Sequence, residues 1–158
     1  MKSPLYRIFL LLFSFFLLHC QTSQPKETFA FKKPAVAPER KASESITLAN
    51  KGVGPVTMVD LSQQIDTAMV KNGAAIYSQK CTACHRIGKT FIGPPPNGIL
   101  QRRSPEWVMN LLLNTEEMLK EDSTAKALFM EFNGQLMTNQ NLTQTEARDI
   151  LEYFRTLD

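Results

Sequence analysis

Five consecutive residues, Cys81-Thr82-Ala83-Cys84-His85, limit what this 158-residue chain can be. In C-x-x-C-H each thiol can add across a vinyl group of a porphyrin, and the adjacent histidine reaches the iron as an axial ligand. Two other chemistries suit these residues poorly. A structural zinc site needs four ligands, and once a leader is removed the only cysteines are Cys20, Cys81 and Cys84 and the only histidine is His85. Dithiol redox chemistry wants its C-x-x-C at a helix N-terminus after a strand, whereas here a helical pattern precedes Cys81 and no strand-rich segment is visible. The motif therefore predicts one covalently bound haem c per chain, and the remaining residues are read as its wrapper.

Residues 1–19 read as an export signal. Lys2 and Arg7 make a positive start, and residues 8–18 form an apolar run broken only by Ser14, too short to span a hydrocarbon core about 30 Å thick as a helix. Leu17-Leu18-His19-Cys20 resembles a bacterial lipoprotein box, with His19 where a small residue is usual. This resemblance implies that Cys20 is lipidated and anchors the mature chain to a membrane; the alternative is that Cys20 is incidental. Either way the chain is expected to leave the cytoplasm, to the periplasm or the outer face of a bacterial membrane.

Residues 20–61 are rich in Pro, Lys, Ser, Thr and Glu and poor in large apolar side chains. Such a composition buries little, so it predicts a disordered or loosely extended tether. Within it, residues 56–59 are read as a short strand or a stretch lying against the domain. Residues 62–158 make one small domain, whose apolar core is marginal without the macrocycle. The chain's net charge of +3 includes Lys2 and Arg7, and the domain alone is close to neutral, which gives no support to nucleic-acid binding.

The periodicity of that domain is helical. Residues 66–80 place Met69, Gly73, Ile76, Tyr77 and Lys80 on one stripe that ends just before Cys81. Gly73 costs about 1 kcal/mol inside a helix, which a close helix crossing would explain. The last helix supplies the partner: Thr143 and Glu146 form a capping box, followed by the apolar face of Ala147, Ile150, Leu151, Phe154 and Leu157. The two helices should cross at Gly73, with Tyr77 against Tyr153 or Phe154. Ser104 and Pro105 open a middle helix as N-cap and N1, with Trp107, Val108, Leu111 and Leu112 on one face. A further helix, capped by Ser123, has Met130 opposite its apolar face of Ala125, Leu128, Phe129 and Phe132.

In this order of features the domain resembles class I cytochromes c, from about residue 69 to residue 157. The resemblance implies a small all-α fold with crossing N- and C-terminal helices. Gly93-Pro94-Pro95-Pro96-Asn97-Gly98 is similar to the family's Gly-Pro loop, which implies that the Pro94 carbonyl accepts the other ring N–H of His85. It also implies that Trp107, or the pair Arg102 and Arg103, meets the haem propionates, although core packing is the default for Trp107.

The second axial ligand is expected to be a methionine, because no other histidine remains and a soft thioether suits low-spin iron. Met137, in an irregular segment before the last helix, stands where the family's ligand does. Met130, Met118 and an open or lysine-bound site are the alternatives.

The expected function is electron transfer by a His85/Met137-ligated haem. Its partners would be a terminal oxidase, a nitrous oxide reductase or another periplasmic reductase. Two other classes stay open: an open-site haem enzyme or sensor for peroxide or nitric oxide, and a fixed cytochrome subunit of a respiratory complex.

Overall fold

The computed structural model describes residues 40–61 and 63–157. The expected leader, Cys20 and the first part of the expected tether lie outside these residues. Among the described residues the regular structure is helical: α1 (Thr67–Lys80), α2 (Ile99–Arg102), α3 (Pro105–Leu113), α4 (Thr115–Glu121), α5 (Ser123–Glu131) and α6 (Gln144–Phe154), with one 3-10 turn at Ala42–Glu44. No strand forms among them; two isolated bridges, Thr47 with Arg103 and Arg86 with Lys89, are all the pairing present.

Helices α1 and α6 cross where the missing side chain of Gly73 lets backbone meet backbone, and a Cβ there would lie 2.1 Å from the Asp149 carbonyl oxygen. One turn on, Tyr77 packs against both Tyr153 and Phe154, with ring centroids 5.7 and 5.9 Å apart. Ala147, Ile150, Leu151 and Phe154 bury the apolar face of α6, each large side chain contributing roughly 1.5–3 kcal/mol. Both ends of the pair are capped as helix physics asks. Asp66 accepts from the N–H groups of Ala68 and Met69, and Thr143 and Glu146 form the reciprocal capping box.

Ser104 caps α3, accepting from the Trp107 N–H with Pro105 at the first helical position. The cap of α5 falls one residue earlier than expected: Asp122 accepts from the Ala125 N–H, and Ser123 is already helical. The polar stretch 115–121, which shows little apolar periodicity, is also a helix. It buries Met118 completely, with the thioether sulfur accepting from the Val53 N–H at 3.0 Å.

The tether expected over residues 20–61 is corrected from residue 41 onward. That segment is a strap packed on the helices, held largely through its backbone, with Asn50 also donating from its side chain to Asp122 Oδ2 at 2.7 Å. Arg103 donates to the carbonyls of Ala42 and Ser45, Thr47 donates its N–H to the Arg102 carbonyl at 2.8 Å, and Ser104 Oγ donates to the Asn50 carbonyl at 2.7 Å. The buried Asn110 side chain accepts from Val56 N–H and donates to the carbonyls of Lys51 and Val56, all at 2.9 Å. Val56 does lie against the domain, buried, and forms no strand. The polar composition that suggested a tether is compatible with packing because the helices supply partners to the strap's peptide groups, which composition does not reveal.

Candidate functional site

The C-terminal end of α1 turns straight into the haem-attachment motif. Cys81 N–H closes the last turn on the Tyr77 carbonyl at 2.9 Å; Cys84 and His85 then both fold back on the Cys81 carbonyl, at 3.1 and 2.9 Å. Cys81, Cys84 and His85 all line one crevice. Burial, with a smaller push from Cys84 against a pull from Lys80, raises the Cys81 thiol to about 11. It is therefore protonated at neutral pH, unlike the thiolate on which dithiol redox catalysis depends.

His85 is held from behind. Its Nδ1 donates to the Pro94 carbonyl at 2.7 Å, which fixes the tautomer and leaves Nε2 as the free nitrogen. Gly93 is needed beside it, because a Cβ there would lie 2.5 Å from Cε1 of the ring. A turn fastened by Gly93 N–H to the Cys84 carbonyl at 3.0 Å brings that loop back to the motif.

The crevice has two lobes, about 140 and 100 Å³, which share Cys81, His85, Pro94, Leu111, Leu128 and Met137. Ile92, Leu119, Phe129, Phe132 and Leu136 add an apolar lining to the first lobe. The second is closed by Tyr77, Pro96, Ile99, Val108 and Phe154, with Ser43, Arg102 and Arg103 as its polar members. Two of the buried polar atoms that lack a partner, Tyr77 OH and Arg103 Nε, belong to residues of this lobe. A crevice lined by apolar side chains together with two thiols, an imidazole, and cationic groups with an unused donor suits a flat apolar macrocycle carrying carboxylates.

The three candidate methionines separate cleanly. Met137 lines both lobes. Met118 is buried away from them with its sulfur engaged by the strap, and Met130 is 72% exposed. Arg102 donates to the Asn97 carbonyl at 2.9 Å, and Arg103 lies 5.3 Å over the Trp107 ring while clamping the strap. Trp107 corrects the expectation of an indole–propionate contact: its N–H donates to Asp122 Oδ1 at 3.1 Å, so its ring walls the second lobe while its donor is satisfied inside the protein.

The reading from sequence missed the strap's share in the crevice. Ser43 reaches the second lobe because its N–H and hydroxyl both bind the Glu131 carboxylate on α5. One sequence signal was there. Gly52 and Gly54 stand in an otherwise unremarkable polar segment, and a Cβ on either would run into Met118 or Asn110, at 2.7 and 2.4 Å.

Comparison with known proteins agrees with this geometry. The cytochrome c family model matches residues 70–158. Among solved structures the chain is similar to a cytochrome c from Rhodothermus marinus, at 38% identity and a TM-score of 0.64 over 77% of this chain and 97% of that one. An engineered form of that protein is similar at 37% identity and TM-score 0.64, and the same engineered form bound to a carbene intermediate at 36% and 0.61, with the same coverage of both chains. No curated protein sequence matches. The chain belongs to the cytochrome c family, and Cys81 and Cys84 carry the spacing by which that family binds its covalent haem c.

Proposed function

We propose that this cytochrome transfers single electrons between exported respiratory complexes or reductases, with its iron held between His85 and Met137. The observation that carries this reading is that Met137, alone of the three candidate methionines, lines both lobes of the crevice that contains His85. The haem supplies one-electron exchange between Fe(II) and Fe(III). The protein's part is to keep its surroundings fixed and dry: Pro94 orients His85, Gly93 admits the ring, and the apolar walls of both lobes exclude water.

The mouth of the crevice supports a partner with an acidic face. Residues 67–105 and 132–145 contain no carboxylate, whereas the first of these stretches carries Lys71, Lys80, Arg86, Lys89 and Arg102, besides the buried Arg103. Ile87, Phe91, Ile92 and Leu136 are exposed in the same two stretches. An apolar centre among cations suits brief, steered encounters rather than tight complexes. Export and a lipid on Cys20 belong to the same proposal, because anchoring raises the local concentration at membrane-bound partners.

The test is the optical spectrum of the mature protein, matured with haem-attachment machinery, beside Met137→Ala. A near-infrared sulfur-to-iron band that disappears in the variant, with sharp low-spin bands on reduction, is the expected result. A high-spin spectrum in the unmodified protein, with ready binding of carbon monoxide or peroxide, overturns it and favours the open-site enzyme or sensor.

A further inference from the structure

The segment that carries Met137 is unusual in how little holds it. After Gln135 N–H bonds the Phe132 carbonyl at 3.0 Å, residues 136–142 make no backbone-to-backbone hydrogen bond among the described residues until α6 begins. The side-chain bonds of Gln140 to Thr138, at 3.0 and 3.1 Å, and of Asn139 to the Asn141 N–H, at 2.8 Å, stay inside the segment. Asn133, Gly134 and Asn141 bracket it with positive φ values of 57°, 72° and 50°. Asparagine is among the few non-glycine residues that enter this left-handed region readily, but such positions still cost energy that the surroundings must supply. Besides the packing of Met137 and Leu142 on the core, one described hydrogen bond ties it to the helices: Lys80 Nζ to the Gln140 carbonyl, 3.1 Å.

The position of Lys80 makes that bond informative. It is the last residue of α1, directly before Cys81, on a helix fixed by the Gly73 crossing and the Tyr77 ring cluster. Its ammonium is therefore registered to the haem-attachment site, and Lys80 and Gln140 line the same lobe as Met137. A cation-to-carbonyl bond is among the stronger protein hydrogen bonds. We propose that Lys80 is a positioning residue, a latch that holds the Met137 segment closed over the crevice and thereby sets how readily outside ligands displace the methionine. This rests on Met137 being the iron ligand.

The experiment compares the mature holoprotein with Lys80→Met, Lys80→Arg and Met137→Ala, reading imidazole affinity of the ferric form, the near-infrared band, and hydrogen exchange of α1 and α6 as a control for global loosening. In Lys80→Met imidazole should bind roughly tenfold more tightly, the value of one lost charge-assisted hydrogen bond. The band should weaken, and exchange in α1 and α6 should stay unchanged. Lys80→Arg keeps a cationic donor and should restore most of the loss. If Lys80→Met does not mature, Lys80→Gln takes its place. Imidazole affinity within twofold of the unmodified protein, while Met137→Ala removes the band, overturns the latch and leaves the ligand reading standing. A band absent from the unmodified protein, or surviving in Met137→Ala, overturns the ligand reading itself. A band that appears only on removing Lys80 marks the lysine as ligand and overturns both.

Discussion

The carbonyl oxygen of Asp149 occupies the place where residue 73 would carry its Cβ, at 2.1 Å from that position. Backbone has pressed into the space a side chain would take, and neither partner is a flexible tip that can move aside. Gly73→Ala gains about 1 kcal/mol of helix propensity yet must part α1 from α6, and overpacking of this kind costs roughly 1–3 kcal/mol or more. Loss should win. Urea unfolding of the holoprotein should show a net decrease of about 1–2 kcal/mol, with the largest rise in hydrogen exchange where the two helices cross.

Asn110 is 1% exposed and gives three bonds to the strap, from Val56 N–H and to the carbonyls of Lys51 and Val56. Asn110→Ala leaves those peptide groups without partners, so a destabilisation of about 2–3 kcal/mol is expected. The strap should show it first: cleavage within residues 41–61 in limited proteolysis should quicken well before the helices become susceptible. Equal protection of strap and helices in the variant would mean that side-chain packing, not Asn110, holds the strap.

This also marks where the sequence is readable. The α1–α6 crossing follows from Gly73, the capping box and the apolar stripe, all of which are local patterns with one physical meaning. So does the motif with its two thiols and histidine. The strap carries no such pattern, because its peptide groups are bound by Arg103, Ser104 and Asn110, up to about sixty residues away in the chain. Trp107 was ambiguous for a related reason: an indole N–H always needs a partner when buried, and only the fold shows that Asp122, not a propionate, provides it.

Glu152 gives a prediction in pH. Its carboxylate is 1% exposed and pairs with Arg148 at 2.5 Å and Arg155 at 2.7 Å. Burial alone would raise its pKa, but the bonds from Arg148 and the Asp66 N–H, with the charges of Arg148 and Arg155, hold it below the ordinary value. The folded pKa is thus lower than the unfolded one, near 4.3. The stabilisation is complete above that pH and is lost as pH falls through the folded value. Glu152→Gln should cost about 2–3 kcal/mol at pH 7, less than a fully enclosed pair because both arginines keep some contact with water. Its deficit should shrink as pH is lowered from 5 towards 2. A deficit constant over that range would mean that packing, not charge, is what Glu152 supplies.

Lys89 tests the charge of the carboxylate-free stretch that leads into the crevice lining at Ile92 and Gly93. It sits in the carboxylate-free stretch 67–105, near Phe91 and Ile92 in sequence, and makes no described side-chain bond. Reversing it should leave stability and the spectrum nearly unchanged while altering encounter rates. With Lys89→Glu, oxidation of the reduced protein by anionic hexacyanoferrate(III) should slow by roughly a few-fold at low salt, and oxidation by a cationic cobalt(III) tris-phenanthroline should quicken. Both differences should fade as ionic strength approaches 1 M, where the screening length falls to about 3 Å. The opposite responses to the two oxidants separate steering from any change in the driving force of the haem, which would move both rates in one direction. Equal rates for the variant and the unmodified protein with both oxidants would place electron entry away from this face.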